Sequence, residues 1–211
     1  MKITKLSSQK RKENRFSLFV DGSFTAGLSA ETVARLQLTE GKEIDPEKLH
    51  KAIYEEERQR ALNYVFRLLS YRSRSEKEIL ERLKRYDYSG AVINSIMEEV
   101  RNAGLIDDKK FAVMFAQDRL NLAKKGKRVI FAELLRKGVP KADVEEALKK
   151  VGDETEVAKS LIEKYKNRYA KLEPQKRKKK LYDLLLRRGF TFKTIDEVLE
   201  NISALPQADE S

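Results

Sequence analysis

Two nearly identical phrases decide how this chain folds: LLRKGV occupies residues 134–139, and LLRRGF occupies residues 185–190, 51 positions later. A fixed period of this size is the usual mark of a repeated supersecondary unit. The match extends beyond the phrases, because six apolar or glycine positions keep their character under the same shift. The paired positions are Leu135 with Leu186, Gly138 with Gly189, Val139 with Phe190, Val144 with Ile195, Leu148 with Leu199, and Val151 with Ile202.

A weaker copy precedes these two, since a backward shift of 51 pairs Val144 with Ile93 and Val151 with Val100. We therefore predict three helical repeats, at residues 55–108, 109–156 and 157–202. Each has a long helix, a second helix that ends at the LLRKG-like phrase, and a short third helix. Units of this size bury little apolar surface alone and pack in series. The expected fold class is mainly α, with three tandem three-helix repeats in an extended, curved arrangement.

Residues 1–54 have a different pattern and predict a small β-rich cap followed by the start of a long linking helix. Residues 3–6 and 15–20 have the composition of strands. Asp21-Gly22 after the second of them is a type I′ hairpin signal, because that turn needs positive φ at both central residues. Asp45-Pro46 predicts a helix start, since Asp accepts from free N–H groups and Pro has none to leave unsatisfied. Residues 203–211 are expected to form a disordered tail.

Capping residues mark the boundaries of the remaining helices. Ser75 with Glu78 fits a capping box. Glycine is expected where a helix ends, because a residue in the left-handed conformation closes the last turn. The expected N-caps are Asp107 or Asp108, and Asp153; the expected helix-end glycines are Gly104, Gly138 and Gly189.

The charge balance points to an anionic partner. The 211 residues include 45 Lys and Arg against 34 Asp and Glu, a net charge of +11 at pH 7. Such an excess favours a polyanion or an acidic protein surface. The absence of cysteine excludes disulfides and thiolate chemistry, and no apolar run approaches the ~20 residues that cross a bilayer. We therefore expect a cytoplasmic monomer that does not use a membrane.

Basic residues recur with the same period at the start of the second helix of each repeat: Arg74 shifts onto Lys125 and then onto Lys176. Cations there face the positive end of the helix dipole and lower local stability, so something negative is expected to meet them. The candidate residues for binding a filament or DNA are therefore Arg72, Arg74, Lys77, Lys124, Lys125, Lys127, Arg128, Lys176, Arg177, Lys178, Lys179 and Lys180.

A second basic pair falls at the end of the same helix. Lys or Arg in a last turn is stabilised by the helix dipole by ~0.3–1 kcal/mol and needs no partner, so the structural interpretation is preferred for this pair. The secondary binding candidates are Lys84, Arg85, Arg136, Lys137, Arg187 and Arg188.

Catalytic and metal-binding patterns are absent from the sequence. The single histidine, His50, has no supporting Cys, His or carboxylate cluster. Asp107-Asp108 is better explained by capping than by metal binding. No P-loop, HExxH or GxSxG motif occurs. We expect no catalytic residue, no metal and no cofactor, and hence no enzyme. The helical aromatic residues, Phe66 and Tyr71 among them, are expected to lie in the core.

Three segments together resemble the RecX family, regulators of the RecA recombinase: SYRSRSEKEILERLKRY (70–86), VRNAGLIDDKKFAVMFAQDRL (100–120) and KKGKRVIFAELLRKGV (124–139). The resemblance covers residues 60–202, and the N-terminal region is similar to the longer members of that family. It implies an all-helical body of three three-helix repeats, without catalytic activity. This body would bind the RecA nucleoprotein filament along its groove and inhibit ATP hydrolysis, strand exchange and co-protease activity.

The resemblance also assigns individual positions to the family's motifs. The RSRS segment corresponds to Arg72, Ser73, Arg74 and Ser75. The inter-repeat turn corresponds to Gly104, Leu105, Asp107, Asp108, Phe111 and Ala112. The second-repeat motif corresponds to Gly126, Glu133, Leu134, Arg136, Lys137 and Gly138.

Three hypotheses for the function follow. The first is an inhibitor of RecA filaments, suggested by the motif match and the periodic basic residues. The second is a general DNA- or RNA-binding protein whose short third helices act as helix-turn-helix readers. The third is a scaffold for an acidic protein. The motif match ranks the first above the others, and single- or double-stranded DNA is left open as a direct partner.

Overall fold

The computed structural model describes residues 1–9 and 14–203, with the backbone alone at 201–203. The described residues form three strands and ten helices, which confirms the mainly α fold class. The chain divides into two compact units. Unit 1 combines Met1–Arg72 with Ile79–Leu105, and unit 2 combines Ser73–Glu78 with Ile106–Ser211. The expected disordered tail lies outside the described residues, except for the backbone of Ser203.

The cap of unit 1 is an antiparallel sheet in the order β1-β2-β3, with β1 at Ile3–Ser8, β2 at Arg15–Val20 and β3 at Ser23–Ser29. Asp21 and Gly22 join β2 to β3 with φ of 47° and 84°. Both values lie in the left-handed region that a type I′ turn requires. The predicted hairpin is therefore confirmed.

Two helices follow the sheet in unit 1: α1 at Ala30–Arg35 and α2 at Pro46–Tyr71. Asp45 caps α2 as expected, because its side chain accepts a hydrogen bond from Glu47 N at 2.9 Å. Glu56 on α2 accepts from the hydroxyls of Ser29 and Thr32, both at 2.8 Å. Burial raises the pKa of Glu56, but these hydrogen bonds and the Arg15 guanidinium bring it below its usual value. The polar cluster thus fixes α2 to the cap.

The rest of unit 1 contains most of α3 at Glu76–Arg85 and all of α4 at Gly90–Asn102. Ser89 caps α4, and Glu57 accepts from the backbone N–H of Ser89 at 2.5 Å. Arg58 on α2 forms an ion pair with Glu99 on α4. The core of this part is formed by buried residues of three helices. They are Ala61 and Val65 on α2, Ile79 and Leu83 on α3, and Val92, Ile96 and Val100 on α4.

Unit 2 contains two three-helix groups, which we call repeat 2 and repeat 3. Repeat 2 consists of α5 at Asp108–Asn121, α6 at Lys127–Arg136 and α7 at Lys141–Lys150. Repeat 3 consists of α8 at Thr155–Tyr169, α9 at Pro174–Arg188 and α10 at Phe192–Ser203. Each has its own apolar core. Leu134 of the first phrase and Leu185 of the second are fully buried in these cores.

Glycines end the helices where the sequence predicted them. Gly104, Gly138 and Gly189 have φ of 66°, 85° and 82°. The N–H of the residue that follows each glycine donates to the carbonyl five residues before it. Phe190 N, for example, donates to Leu185 O at 3.2 Å. This closure satisfies carbonyls that the last helical turn would otherwise leave without a donor.

One expectation differs from the structure. Phe66 and Tyr71 are 46% and 78% exposed, so their assignment to the core was wrong. Phe66 lies at the edge of the buried stripe of α2, and Tyr71 is its last residue.

The helix α9 begins at Pro174, a residue that is favourable in a first helical turn. The basic run at 176–180 therefore lies in the first two turns of α9.

Candidate functional site

The start of α6 docks on the end of α9. Gly126 N donates to Arg188 O at 2.9 Å, and Arg128 N donates to Gly189 O at 3.0 Å. The first N–H groups of a helix have no acceptor within that helix, and its last carbonyl groups have no donor within it. Docking these two ends together satisfies both sets, and it brings the positive end of one helix dipole to the negative end of the other.

Glu154 completes this contact from the start of α8. Glu154 is buried, with 2% of its surface exposed. Its carboxylate accepts a hydrogen bond from Lys127 N at 2.6 Å. It also accepts from Thr191 N at 2.8 Å and from the Thr194 hydroxyl at 3.0 Å. Gly126, the N-cap of α6, has no side chain that could cap the helix. Glu154 therefore replaces the missing cap with a carboxylate from the next repeat.

The start of α3, within Ser73–Glu78 of unit 2, contacts the end of α6 in a related way. Ser75 Oγ donates to Lys137 O at 2.7 Å, and Lys77 Nζ donates to Arg136 O at 3.1 Å. Asp108 accepts from Glu76 N at 2.9 Å, and the Lys137 ammonium pairs with Glu78 at 2.7 Å. Ser75 and Glu78 also form the predicted capping box, with both reciprocal bonds at 3.3 Å. Here side chains replace some of the backbone bonds found at the start of α6.

At each of these two contacts, two consecutive acidic residues, which we call an acidic doublet, cap two different helices. Asp107 caps its own helix by accepting from Lys110 N at 2.9 Å, whereas Asp108 caps the start of α3. Asp153 likewise accepts from Thr155 N at 3.0 Å, whereas Glu154 caps the start of α6. From the sequence, Asp107 or Asp108 and Asp153 were expected to cap only their own helices. The second carboxylate of each doublet, at positions 108 and 154, is the signal for a contact with another helix.

The two members of the first doublet differ in their pKa. The backbone hydrogen bond from Lys110 holds the pKa of Asp107 below its ordinary value of 3.8. Burial raises the pKa of Asp108 above that value, although the hydrogen bond from Glu76 N opposes the shift. The second carboxylate is therefore the one that loses hydration in order to make the contact.

Glycine is required where the helix ends touch. A Cβ built on Gly126 would overlap the backbone of Gly189 and Phe190, and a Cβ on Gly189 would overlap Val129. A Cβ on Gly138 would lie 2.7 Å from the Cβ of Lys77. The glycines of the LLRKG and LLRRG phrases thus close their own helices and also admit the start of another helix.

Several of the cations predicted as binding residues have partners inside the chain. Lys125 forms an ion pair with Glu133, which also pairs with Arg119 at 3.1 Å. Arg188 Nη1 donates to Ala123 O at 2.9 Å. Lys77 and Lys137 make the bonds at the start of α3 described above. The premise that these helix-start cations need an external anion was therefore wrong for Lys125, because Glu133 is its anion.

The remaining candidates are distributed over the surface. Arg128 is exposed and its guanidinium lies 4.6 Å from the centre of the Phe192 ring. Lys124, Lys127, Arg177 and Arg74 are half-buried, and Arg72 ends α2 in an extended conformation. The exposed candidates that form no ion pair with any side chain the structure describes are Lys84, Arg85, Arg128, Arg136, Lys176, Lys178, Lys179, Lys180 and Arg187. A binding role for these residues stays a prediction.

Neither a metal site nor a membrane span is found in the described part of the chain. No group of three or more His, Asp or Glu residues at 1–9 and 14–203 has the arrangement of a metal site. No helix among the described residues is long and apolar enough to cross a bilayer.

The docking of α6 on α9 predicts a steric effect at Gly126. We expect Gly126→Ala to lower the free energy of unfolding by about 3 kcal/mol, the upper part of the range for overpacking, because backbone rather than a flexible side chain must move. Gly152→Ala is the matched control, since no atom of the described residues lies within 4 Å of its Cβ position. Urea denaturation followed by circular dichroism measures both. Equal stabilities for the two variants would contradict the docked arrangement.

The first acidic doublet predicts opposite pH effects for two neighbouring substitutions. Asp107 has a lowered pKa, so its charge stabilises the fold above pH 3.8 and this stability is lost as pH falls. Asp107→Asn should therefore cost about 0.3–1 kcal/mol at pH 7, the value of a charge near a helix N-terminus. Asp108 has a raised pKa, so its contribution is lost as pH rises through the folded pKa.

Asp108→Asn keeps an oxygen acceptor for Glu76 N and removes the buried charge. Its stability relative to the unchanged protein should therefore improve between pH 3 and pH 7, whereas that of Asp107→Asn should worsen. Thermal unfolding at a series of pH values tests this pair. Parallel pH profiles for the two variants would contradict the division of the doublet.

Comparison with known proteins identifies the relatives of this chain. Family models match the regulatory protein RecX N-terminal domain at residues 1–45 and the first, second and third RecX three-helix domains at 61–99, 107–148 and 152–199. The chain is 32% identical over 206 residues to the regulatory protein RecX of Bacillus cytotoxicus, covering 95% of this chain and 76% of that protein. It is 30% identical over 202 residues to that of Bacillus subtilis, with the same coverage of 95% and 76%.

A solved structure shows the same fold. The crystal structure of a regulatory protein RecX matches this one with a TM-score of 0.67 at 26% identity, over 94% of this chain and 98% of that chain. The family models, the full-length relatives and the three helical repeats agree. The chain belongs to the RecX family of regulatory proteins.

Proposed function

We propose that this protein inhibits RecA: it binds the RecA–DNA filament and represses ATP hydrolysis, strand exchange and co-protease activity. The observation that carries the proposal is membership in the RecX family, whose relatives are named regulatory proteins. In this proposal the protein acts as a cytoplasmic monomer, without a cofactor and without catalysing a reaction. Its effect on recombination and DNA repair then depends on where it binds.

The first turns of α9 support binding to an anionic filament. Lys176, Lys178, Lys179 and Lys180 are exposed, Arg177 is half-buried, and the first turn of α9 contains no acidic residue. Cations at a helix N-terminus are unfavourable for the helix itself by a few tenths of a kcal/mol each. Because the described part of the chain offers these four lysines no ion pair, their interaction with an external anion would offset that cost.

A general nucleic-acid-binding protein is the second candidate function. The same exposed lysines would serve it, and the tight turns at Gly138 and Gly189 connect pairs of helices as in helix-turn-helix units. Competition separates the two candidates. Tight retention on RecA-coated single strands with weak retention on naked DNA supports the filament inhibitor, and the reverse supports the second candidate.

The inhibitor proposal predicts the effect of neutralising α9. We expect Lys176→Gln/Lys178→Gln/Lys179→Gln to raise the concentration that half-inhibits the DNA-dependent ATPase of the cognate RecA about tenfold. Three exposed ion pairs at ~0.5 kcal/mol each sum to about 1.5 kcal/mol, a factor of about ten. The folded state should not be weakened, since the substitutions remove cations from the positive end of a helix dipole.

A triple variant on α7, Lys141→Gln/Lys149→Gln/Lys150→Gln, makes the same change in net charge at exposed positions and should inhibit like the unchanged protein. Lys125 is left out of the test because its loss would remove one of the two ion-pair partners of Glu133 inside the fold. If saturating unchanged protein leaves RecA ATP hydrolysis unaltered, the proposed function is wrong. If both triple variants weaken inhibition equally, α9 is not the contact surface.

A further inference from the structure

A hollow of about 250 Å³ lies in unit 2, where the loop between α5 and α6 meets α8 and α9. Its volume exceeds that of several waters, each of which occupies about 30 Å³ in the liquid. The lining residues that matter are two from the loop, three from α8 and one from the end of α9: Leu122, Lys124, Ser160, Lys164, Tyr165 and Arg188.

Three cations line this hollow, and none of its lining residues within the described part of the chain is acidic. Lys124 and Lys164 form no ion pair with any described side chain. Arg188 is held by the bond from its Nη1 to Ala123 O at 2.9 Å, which leaves its other N–H groups to donate. Like charges that converge at one place repel each other, and an anion bound between them removes this repulsion.

The loop at the mouth of the hollow stores backbone strain. Lys124 has φ of 52°, a left-handed conformation that costs a residue with a Cβ roughly 1–2 kcal/mol. The turn is fixed by bonds from Ala123 N to Asp118 O at 3.2 Å and from Lys125 N to Arg119 O at 3.0 Å. Glycine would relieve the strain, but it would remove the ammonium group. Strained residues of this kind cluster at binding sites, where the surrounding structure maintains them.

The surroundings of the hollow fit a chain of phosphates better than a single one. Arg168 and Tyr169 follow Lys164 and Tyr165 by four residues on α8 and therefore continue along the same helix face. Tyr165 and Tyr169 are half-buried against the core of repeat 3, and their rings are 6.3 Å apart and inclined by 26°. Leu122 at the rim is 78% exposed. Alternating cations and flat apolar surface are what single-stranded nucleic acids require, for phosphates and bases respectively.

We propose that this hollow is a phosphate-binding site that receives the backbone of single-stranded nucleic acid. Lys124, Lys164 and Arg188 neutralise one phosphodiester, and the Tyr165 hydroxyl supplies a further donor. The site goes beyond inhibition of RecA, because it concerns direct contact between this protein and a naked strand. A free nucleotide carries the same phosphate chemistry, but it would leave the continuing cations and aromatic rings on α8 unused.

The test is the salt dependence of binding to a fluorescein-labelled oligothymidine, measured by fluorescence anisotropy in the absence of RecA. Each phosphate contact to a single strand contributes about 0.7 to the slope of log K against log salt. We expect Lys124→Gln/Lys164→Gln to lower this slope by about 0.7 or more and to weaken binding at low salt about tenfold. Arg188 is left unchanged, since it also holds the loop through Ala123 O.

The matched control is Lys141→Gln/Lys149→Gln on the exposed face of α7, which removes the same net charge away from the hollow. Its slope should stay within error of the unchanged protein. Equal slopes for the two double variants would overturn the site. Competition by thymidine monophosphate that is as strong as competition by unlabelled oligothymidine would overturn the assignment to a strand. Because RecA is not present, these outcomes are separate from failure of the proposed inhibition.

Discussion

The N–H groups at the start of α6 have no acceptor within their own helix, and the structure satisfies them from repeat 3. Arg188 O and Gly189 O accept from Gly126 and Arg128, and the buried carboxylate of Glu154 accepts from Lys127. This requirement explains features that are otherwise unrelated. Gly126 caps α6 without a side chain because backbone occupies the space. Gly189 has positive φ to end α9 and make room for Val129. Glu154 is buried because its three donors lie at the starts of α6 and α10.

The same contacts determine which basic residues are available to a partner. Where the end of one helix packs against the start of another, the basic residues of that last turn lie in the contact. Arg188 and Lys137 therefore donate hydrogen bonds inside unit 2. Lys125 likewise forms an ion pair with Glu133 inside unit 2. The first turns of α9 are different, because no further repeat docks there among the described residues, and its lysines stay exposed. The positive charge therefore serves two purposes that composition alone does not separate: cohesion between helix ends and, in our proposal, binding of an anionic filament.

Much of the fold was predictable because its signals are local. Asp21-Gly22 specifies its hairpin through backbone conformation, and the glycines at 104, 138 and 189 specify helix ends in the same way. The docking of one helix on another was not predictable, because its acceptors are backbone carbonyls, which any residue supplies. Asp108 and Glu154 left a signal in their doublets, but it was interpreted only as capping of the own helix. For the candidate site, the sequence predicted the repeated basic residues. It did not show that Lys125 forms an ion pair within the fold whereas Lys176 stays exposed.

Amide hydrogen exchange at the start of α6 tests the docking most directly, because exchange reports whether an N–H group is bonded in the native state. If α6 docks on α9 as described, the amides of Gly126, Lys127 and Arg128 are protected to the level of helix interiors. The start of α7 is an internal reference, since Pro140 provides no side-chain cap and Lys141 and Ala142 find no backbone acceptor in the described residues. These two amides should exchange rapidly. Equal, rapid exchange at both helix starts would contradict the docking of α6 on α9.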